Sequence, residues 1–239
     1  VKKMKLVALI LMVAFGAFII AGCGGTQDAD TPTPEKTPEL EGKLVVYHAG
    51  SLSIPFEALE KEFETLHPGV DIQRTAGGSR DLARKVIDLG DKVDILASAD
   101  YIVIDDMMIP EFAEWNAAFA KNSMVIMYTD ESKYADEINK DNWYEVLLKE
   151  GVKYGHSEPN NDPCGYRTVL SWQLAEKKYE TEGLFQKLTD GCPQENVRPK
   201  SVELITMLET GALDYAFEYE SVARQHAAKN PAFKWVELP

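Results

Sequence analysis

Four segments of this chain share a design that can do chemistry: a turn rich in Gly, Ser or Pro that ends where a helical pattern begins. They are His48-Ala49-Gly50-Ser51, Ala76-Gly77-Gly78-Ser79, Asn161-Asp162-Pro163-Cys164-Gly165 and Arg198-Pro199-Lys200-Ser201. The first turn of a helix leaves backbone N–H groups unpaired and carries the positive end of the helix dipole, so such turns offer donors to an anion. A serine at that position adds a hydroxyl donor or serves as an ordinary helix cap. Asp162-Pro163 equally suits a plain turn initiator. One such turn alone means little, whereas four in a chain that alternates strands and helices point to an anion site beyond the strand ends of an open α/β sheet.

The elements that must position these turns are legible as periodicity. Leu44-Val45-Val46-Tyr47 predicts a short buried strand. A helix follows, with Pro55 in its first turn, Phe56, Leu59, Phe63 and Leu66 on one face, and His67-Pro68-Gly69 as its stop. Val70 to Gln73 reads as a second strand, and the helix after Ser79 buries Leu82, Val86 and Leu89 before Gly90 ends it. Val93 to Ala97 reads as a third strand, which gives a βαβαβ order and a mainly parallel sheet with helices on both faces. After Asn122 the pattern restarts with Met124 to Tyr128. Helices then fall at Tyr166–Tyr179 and Val202–Leu208, and Leu213, Tyr215, Phe217 and Tyr219 alternate as a strand. The expected organisation is one lobe over 43–122 and a second over 123–239, hinged near Asn122.

Composition narrows the partners. Of 239 residues, 39 are acidic and 25 basic, a formal net charge of -14, with no Lys/Arg cluster. That balance excludes nucleic acid, whose phosphates need clustered cations. It also means that the overall field does not attract anions, so an anion site here depends on preorganised neutral donors. Residues 1–22 carry Lys2, Lys3 and Lys5, then an apolar run from Leu6 to Ala21 that stops at Gly22-Cys23. The run is short for a spanning helix and right for a secretory signal. Its ending resembles a lipobox, which makes Cys23 the lipid-attachment site; an uncleaved anchor helix is the rival reading. Residues 23–42, rich in Thr, Pro and acids, predict a flexible tether. Outside the cytoplasm, the remaining Cys164 and Cys192 read as one disulfide worth about 3 kcal/mol. A zinc site is the alternative, but no His pair accompanies the two cysteines.

Longer motifs carry a resemblance. Val45 to Phe56 (VVYHAGSLSIPF), Asp94 to Tyr101 (DILASADY), Glu158 to Arg167 (EPNNDPCGYR) and Phe217 to Ala223 (FEYESVA) resemble the archaeal molybdate/tungstate-binding receptors of ABC importers. These belong to the type II periplasmic-binding-protein family. The likeness runs from Lys43 to Pro239 and implies a two-lobe fold that closes on an oxyanion. It implies Gly50, Ser51 and Ser79 as donors from the first lobe, and Cys164 (through a backbone N–H) and the Tyr219 hydroxyl as donors from the second. Asp162 matches a carboxylate that reaches the tungsten or molybdenum of the bound oxyanion directly. The family's second such carboxylate falls at Ser201 here, with Glu203 two residues on; this leaves open whether Ser201 is a contact or Glu203 takes the role.

The resemblance implies no enzyme activity and no cofactor beyond the oxyanion ligand. The implied partners are a permease and a separate ATPase, which fits a chain without a Walker A motif, and the receptor is expected to be monomeric and held at the outer face of the cell membrane by its lipid. Family members run on by about a third of this length, and the chain starts with Val1, so a C-terminal truncation of the first lobe is expected. Receptors for sulfate or phosphate share the fold and remain a second reading. A secreted metal hydrolase built on Asp162 lacks a histidine-rich ligand set, and Ser221 sits in no nucleophile elbow. His48 reads as a backbone-turn residue, His67, His156 and His226 share no ligand spacing, and Trp115, Trp143, Trp172 and Trp235 read as core or lobe-interface residues.

Overall fold

The computed structural model describes residues 39–239, so the expected signal, the Cys23 attachment site and most of the tether lie outside the described residues. The first strand, β1 (Glu41–Ala49), begins inside the expected tether. Its first residues are exposed, and they are held by pairing Glu41 with Gly69 and Gly42 with Val70 rather than by burying side chains. β1 lies between β2 (Gly69–Gly77) and β3 (Ile95–Ala97), parallel to both, as the βαβαβ pattern requires.

Helix α1 (Ser53–Leu66) joins β1 to β2, and α2 (Ser79–Leu89) joins β2 to β3. Gly90 closes α2 with φ 73°, the left-handed conformation that glycine adopts without strain. Leu82 and Ala83 of α2 are buried, and Ala83 packs with Val103, Ile104 and Met108 from and beside α3 (Tyr101–Met107). Asp100 caps α3 by accepting from Ile102 N–H at 3.2 Å. The expected burial of α1 is corrected: Leu59 and Leu66 are 58% and 65% exposed, and Phe63 is 37% exposed. Leu89 is exposed as well. The amphipathic spacing is present, but a three-stranded sheet has too little surface to receive every apolar face, and no described element covers these.

The chain enters a second sheet at β4 (Met124–Thr129), with order β6-β5-β7-β4-β8. Its strands β5 (Tyr154–Ser157), β6 (Val197–Arg198) and β7 (Tyr215–Tyr219) run parallel, whereas β4 is antiparallel to β7 and to β8 (Phe233–Glu237). Strand alternation splits the core in two. Ile126, Tyr128, Tyr215 and Phe217 face one way, against Trp143, Val146 and Leu147 of α4 (Trp143–Leu147), Trp172 of α5 (Pro163–Lys178) and Leu184 and Leu188 of α6 (Leu184–Asp190). Val125, Met127 and Ala216 face the other way, against Leu204, Ile205 and Leu208 of α7 (Glu203–Glu209) and Val222 and Ala223 of α8 (Glu220–Lys229). Trp143 and Trp172 are core residues as expected, but Trp115 is 74% exposed.

The expected Cys164–Cys192 disulfide is also corrected, for both thiols are free and buried. Cys192 packs in the first of these clusters and Cys164 in the second. Cys164 Sγ lies 3.7 Å from Phe217 O, and Cys192 Sγ 3.4 Å from Tyr154 O. With the sheet between them, the two sulfurs cannot meet the short Cβ–Cβ distance that a disulfide needs. No helix among the described residues is long and apolar enough to cross a membrane.

Candidate functional site

The four turns meet where the two sheets face each other. A Cβ on Gly50 would stand 3.1 Å from Val202 Cγ2 and 3.7 Å from Lys200 Cδ, so the turn after β1 lies against the residues flanking Ser201. A Cβ on Gly78 would stand 2.5 Å from Asn161 O and 3.3 Å from Pro199 O, a close approach that only glycine permits. The N–H groups of Arg80 and Asp81, in the first turn of α2, donate to Asn161 O at 3.0 and 3.3 Å. Arg84 adds bonds of 2.9 Å to Asn161 Oδ1 and to Asn160 O. Gly50, Ser51, Ser79, Asp162, Cys164, Ser201 and Tyr219 are all buried.

Their hydrogen bonds divide them. Asp162 is the N-cap of α5: Oδ1 accepts from Cys164 N–H at 3.0 Å, and Oδ2 accepts from Ser201 N–H at 2.9 Å. The Cys164 N–H expected to face a ligand is therefore engaged by Asp162 in this structure. The Ser201 hydroxyl donates to Glu218 Oε1 at 3.0 Å, and that oxygen also accepts from Tyr219 N–H at 2.9 Å. Ser79 Oγ accepts from Ala99 N–H at 3.0 Å and keeps its own O–H to donate. Three buried polar atoms in the second-sheet part of this cluster have no partner among the described residues: Ser157 Oγ, Glu218 Oε2 and the Tyr219 hydroxyl. An unpartnered buried polar atom costs about 1–3 kcal/mol, so three of them beside one carboxylate mark a place where a polar group completes the structure.

Electrostatics follow from burial. Burial pushes Asp162 up to about 6, although its backbone hydrogen bonds favour the ionised form. Glu218, fully buried, is pushed up to about 8, with the neighbouring Asp162 charge adding to the effect. Burial also holds the Cys164 thiol and the Tyr219 hydroxyl well above their ordinary ranges, so both remain neutral donors. Cations stand at the rim. Arg80 Nε is buried without a partner, and Arg167 Nε reaches Asp100 Oδ2 at 3.0 Å. Tyr166 also donates to Asp100 Oδ2, at 2.7 Å. Burial alone would raise Asp100, but the Tyr166 and Arg167 bonds outweigh it and hold the carboxyl below the usual carboxylate range.

Glu218, Ser157 and the Asp100–Tyr166–Arg167 contact carry no role from sequence reasoning, although all but Ser157 lie within the motifs quoted above. Of the alternatives at the second carboxylate position, Ser201 lies in the cluster, whereas Glu203 is paired with Lys200 at 3.7 Å, each of the two being about one third exposed. His48, read as a turn residue, lies instead in β1, paired with Ala76 and Ala97, and is buried with Nδ1 2.9 Å from Ala49 O. A cavity of about 1010 Å³ runs along Phe56, Leu96, Ile104, Met108 and Phe119 and is also lined by Asp100, Arg167 and Tyr219. Among the described residues no group of three or more His, Cys, Asp or Glu is placed to hold a metal ion.

Comparison with known proteins gives the lineage. An uncharacterized solute-binding protein from Petrotoga mobilis is 56% identical over 201 residues, covering 84% of this chain and 61% of its own length. The molybdate/tungstate-binding protein of Pyrococcus abyssi is 43% identical over 248 residues, covering 93% and 69% respectively. This chain thus spans roughly two thirds of the length of these relatives. Among solved structures, the Azotobacter vinelandii periplasmic molybdate-binding protein superposes with a TM-score of 0.64 over 82% of this chain and 79% of that one, at 19% identity. The fold is therefore that of the type II periplasmic binding proteins. One family, described as bacterial extracellular solute-binding protein, matches residues 44–239, and to that family this chain belongs.

Proposed function

We propose that this chain captures tungstate or molybdate between its two sheets and delivers it to an ABC permease whose ATPase is a separate chain. The observation that carries the reading is the buried cluster at the meeting of the four turns, with Ser157 Oγ, Glu218 Oε2 and the Tyr219 hydroxyl lacking partners. A tetrahedral oxyanion supplies acceptors to the Ser157 and Tyr219 hydroxyls, and Ser79 and Ser51 stand on the opposite wall. The 43% identity to a protein named for molybdate and tungstate favours these anions.

Asp162 makes the chemistry selective. A carboxylate beside a dianion is repulsive in a site built of hydrogen bonds alone. Each Asp162 oxygen accepts one backbone N–H and keeps one lone pair. Directed at tungsten or molybdenum, that lone pair finds a hard centre that accepts additional oxygen ligands. Sulfur in sulfate accepts none, so the same carboxylate repels sulfate. The apolar head ending at Cys23 supports a lipid anchor on the outer face of the membrane, with residues 23–40 as the tether. The working unit is one receptor chain, closing by hinge motion near Asn122.

Isothermal titration calorimetry with tungstate, molybdate, sulfate and phosphate tests the reading. Binding of the first two alone is expected, and Asp162→Ala should lose that preference or bind no anion. Equal affinity for sulfate and tungstate in the unmodified protein would refute the role of Asp162.

A further inference from the structure

Glu218 is a buried acid that the oxyanion reading, on which this inference rests, leaves without a role. It sits on β7 opposite Val125, on the same face of the sheet as Cys164, and is wholly buried. Its two oxygens differ. Oε1 accepts twice, from Ser201 Oγ at 3.0 Å and Tyr219 N–H at 2.9 Å, whereas Oε2 has no partner. An ionised carboxylate would leave a buried, charged oxygen without a donor, close to a second buried carboxyl, which is an expensive arrangement. A neutral carboxylic acid fits these contacts: Oε1 is the carbonyl oxygen that receives both bonds, and Oε2 carries the proton. What such a group lacks is an acceptor.

The titratable groups around it agree. Asp162, which shares Ser201 with Glu218, raises its affinity for a proton. Cys164 and Tyr219, the other titratable neighbours, are themselves held neutral. Among the described residues no cation is paired with the Glu218 carboxyl, and its hydrogen-bond partners there are Ser201 and Tyr219.

We infer that Glu218 takes part in ligand binding as a neutral acid, donating its Oε2–H, beside the Tyr219 hydroxyl, to an oxygen of a tetrahedral oxyanion that carries no proton of its own. The acid then supplies a charge-assisted hydrogen bond without adding negative charge to the site. Asp162 and Glu218 consequently act in opposite senses, one as an oxygen donor to the central atom and the other as a proton donor to the anion's edge. A ligand bearing its own O–H, such as hydrogen phosphate, sets donor against donor at this position.

Calorimetry with sodium tungstate on the full chain tests the inference with Glu218→Gln, which keeps an N–H donor, and Glu218→Leu, which keeps none. Glu218→Gln should bind within about tenfold of the unmodified protein, and Glu218→Leu should lose about 10- to 100-fold, the loss of one hydrogen bond to a charged group. Equal losses in both variants would overturn the donor role while leaving the oxyanion reading intact, and no loss in either would remove Glu218 from the site. Failure of the unmodified protein to bind any tetrahedral oxyanion would overturn the oxyanion reading and this inference with it. A readout independent of the variants is the proton count, from titrations of the unmodified protein in two buffers of different ionisation enthalpy. Near pH 9 the free acid is ionised, so about one proton should be taken up on binding, whereas near pH 7 close to none is exchanged. Release of about one proton at pH 7 would show that Glu218 binds ionised and would overturn the inference.

Discussion

Exchanging Glu218 for Gln changes the stability of the protein in a way that depends on pH and requires no ligand. The carboxyl titrates near its ordinary 4.5 in the unfolded chain, and burial pushes it up to about 8 in the folded protein. Below the lower value both states hold the proton, and acid and amide are nearly equivalent. Between the two values the unfolded chain releases a proton that the folded chain keeps, so the folded state loses about 1.4 kcal/mol per pH unit. The loss amounts to about 3 kcal/mol at pH 7 and levels off at about 5 kcal/mol above pH 8. Gln suffers none of it, and its amide meets the same neighbours. Glu218→Gln should therefore exceed the unmodified protein in stability by under about 1 kcal/mol at pH 5, about 3 at pH 7 and about 5 at pH 9. Against a typical total of about 5–15 kcal/mol this is a large change. Urea denaturation at the three pH values, followed by the fluorescence of buried Trp143 and Trp172, measures it. A difference that does not grow with pH would mean that the folded protein holds an ordinary ionised carboxylate, and the reasoning about its proton would be refuted.

Further outcomes follow from the same contacts. Arg167→Ala leaves Asp100 only Tyr166 and its cap bond, and should weaken the attachment of α3 to α5 by about 1–2 kcal/mol, because Arg167 is 40% exposed. The loss in Tm should shrink at high salt, and an unchanged Tm at low salt would show that the pair is energetically silent. Gly78→Ala drives a methyl group against Asn161 O and Pro199 O, so tungstate affinity should fall at least about tenfold while the circular dichroism spectrum stays native. Unchanged affinity would show that the turns separate without consequence for binding. Alkylation of the denatured protein without reductant, followed by peptide mapping, should label Cys164 and Cys192 fully; protection of both would restore the disulfide that the structure denies.

Much of this protein was legible in its sequence. Alternating β-branched and aromatic runs separated by helical periods set β1 to β3 and their parallel order, since each strand end is marked by a turn and each helix by a stop at His67-Pro68-Gly69 or Gly90. The same local chemistry marked the four Gly/Ser/Pro turns, and Asp162-Pro163 could be read as a turn because turn chemistry is decided within a few residues of chain. Long motifs carried the family. What the sequence could not determine was which side chains remain incomplete after folding. Glu218 looks like any alternating polar residue on a strand until the pairing of β7 with β4 and the packing of α5 bury it beside Asp162. Cys164 and Cys192 looked like a pair until strand parity placed them on opposite faces of one sheet. Phe63 and Leu66 looked like core until the small first sheet left them exposed. Propensity and periodicity are local, whereas burial, hydrogen-bond satisfaction and charge proximity depend on residues far apart in the chain, so only the tertiary structure decides them.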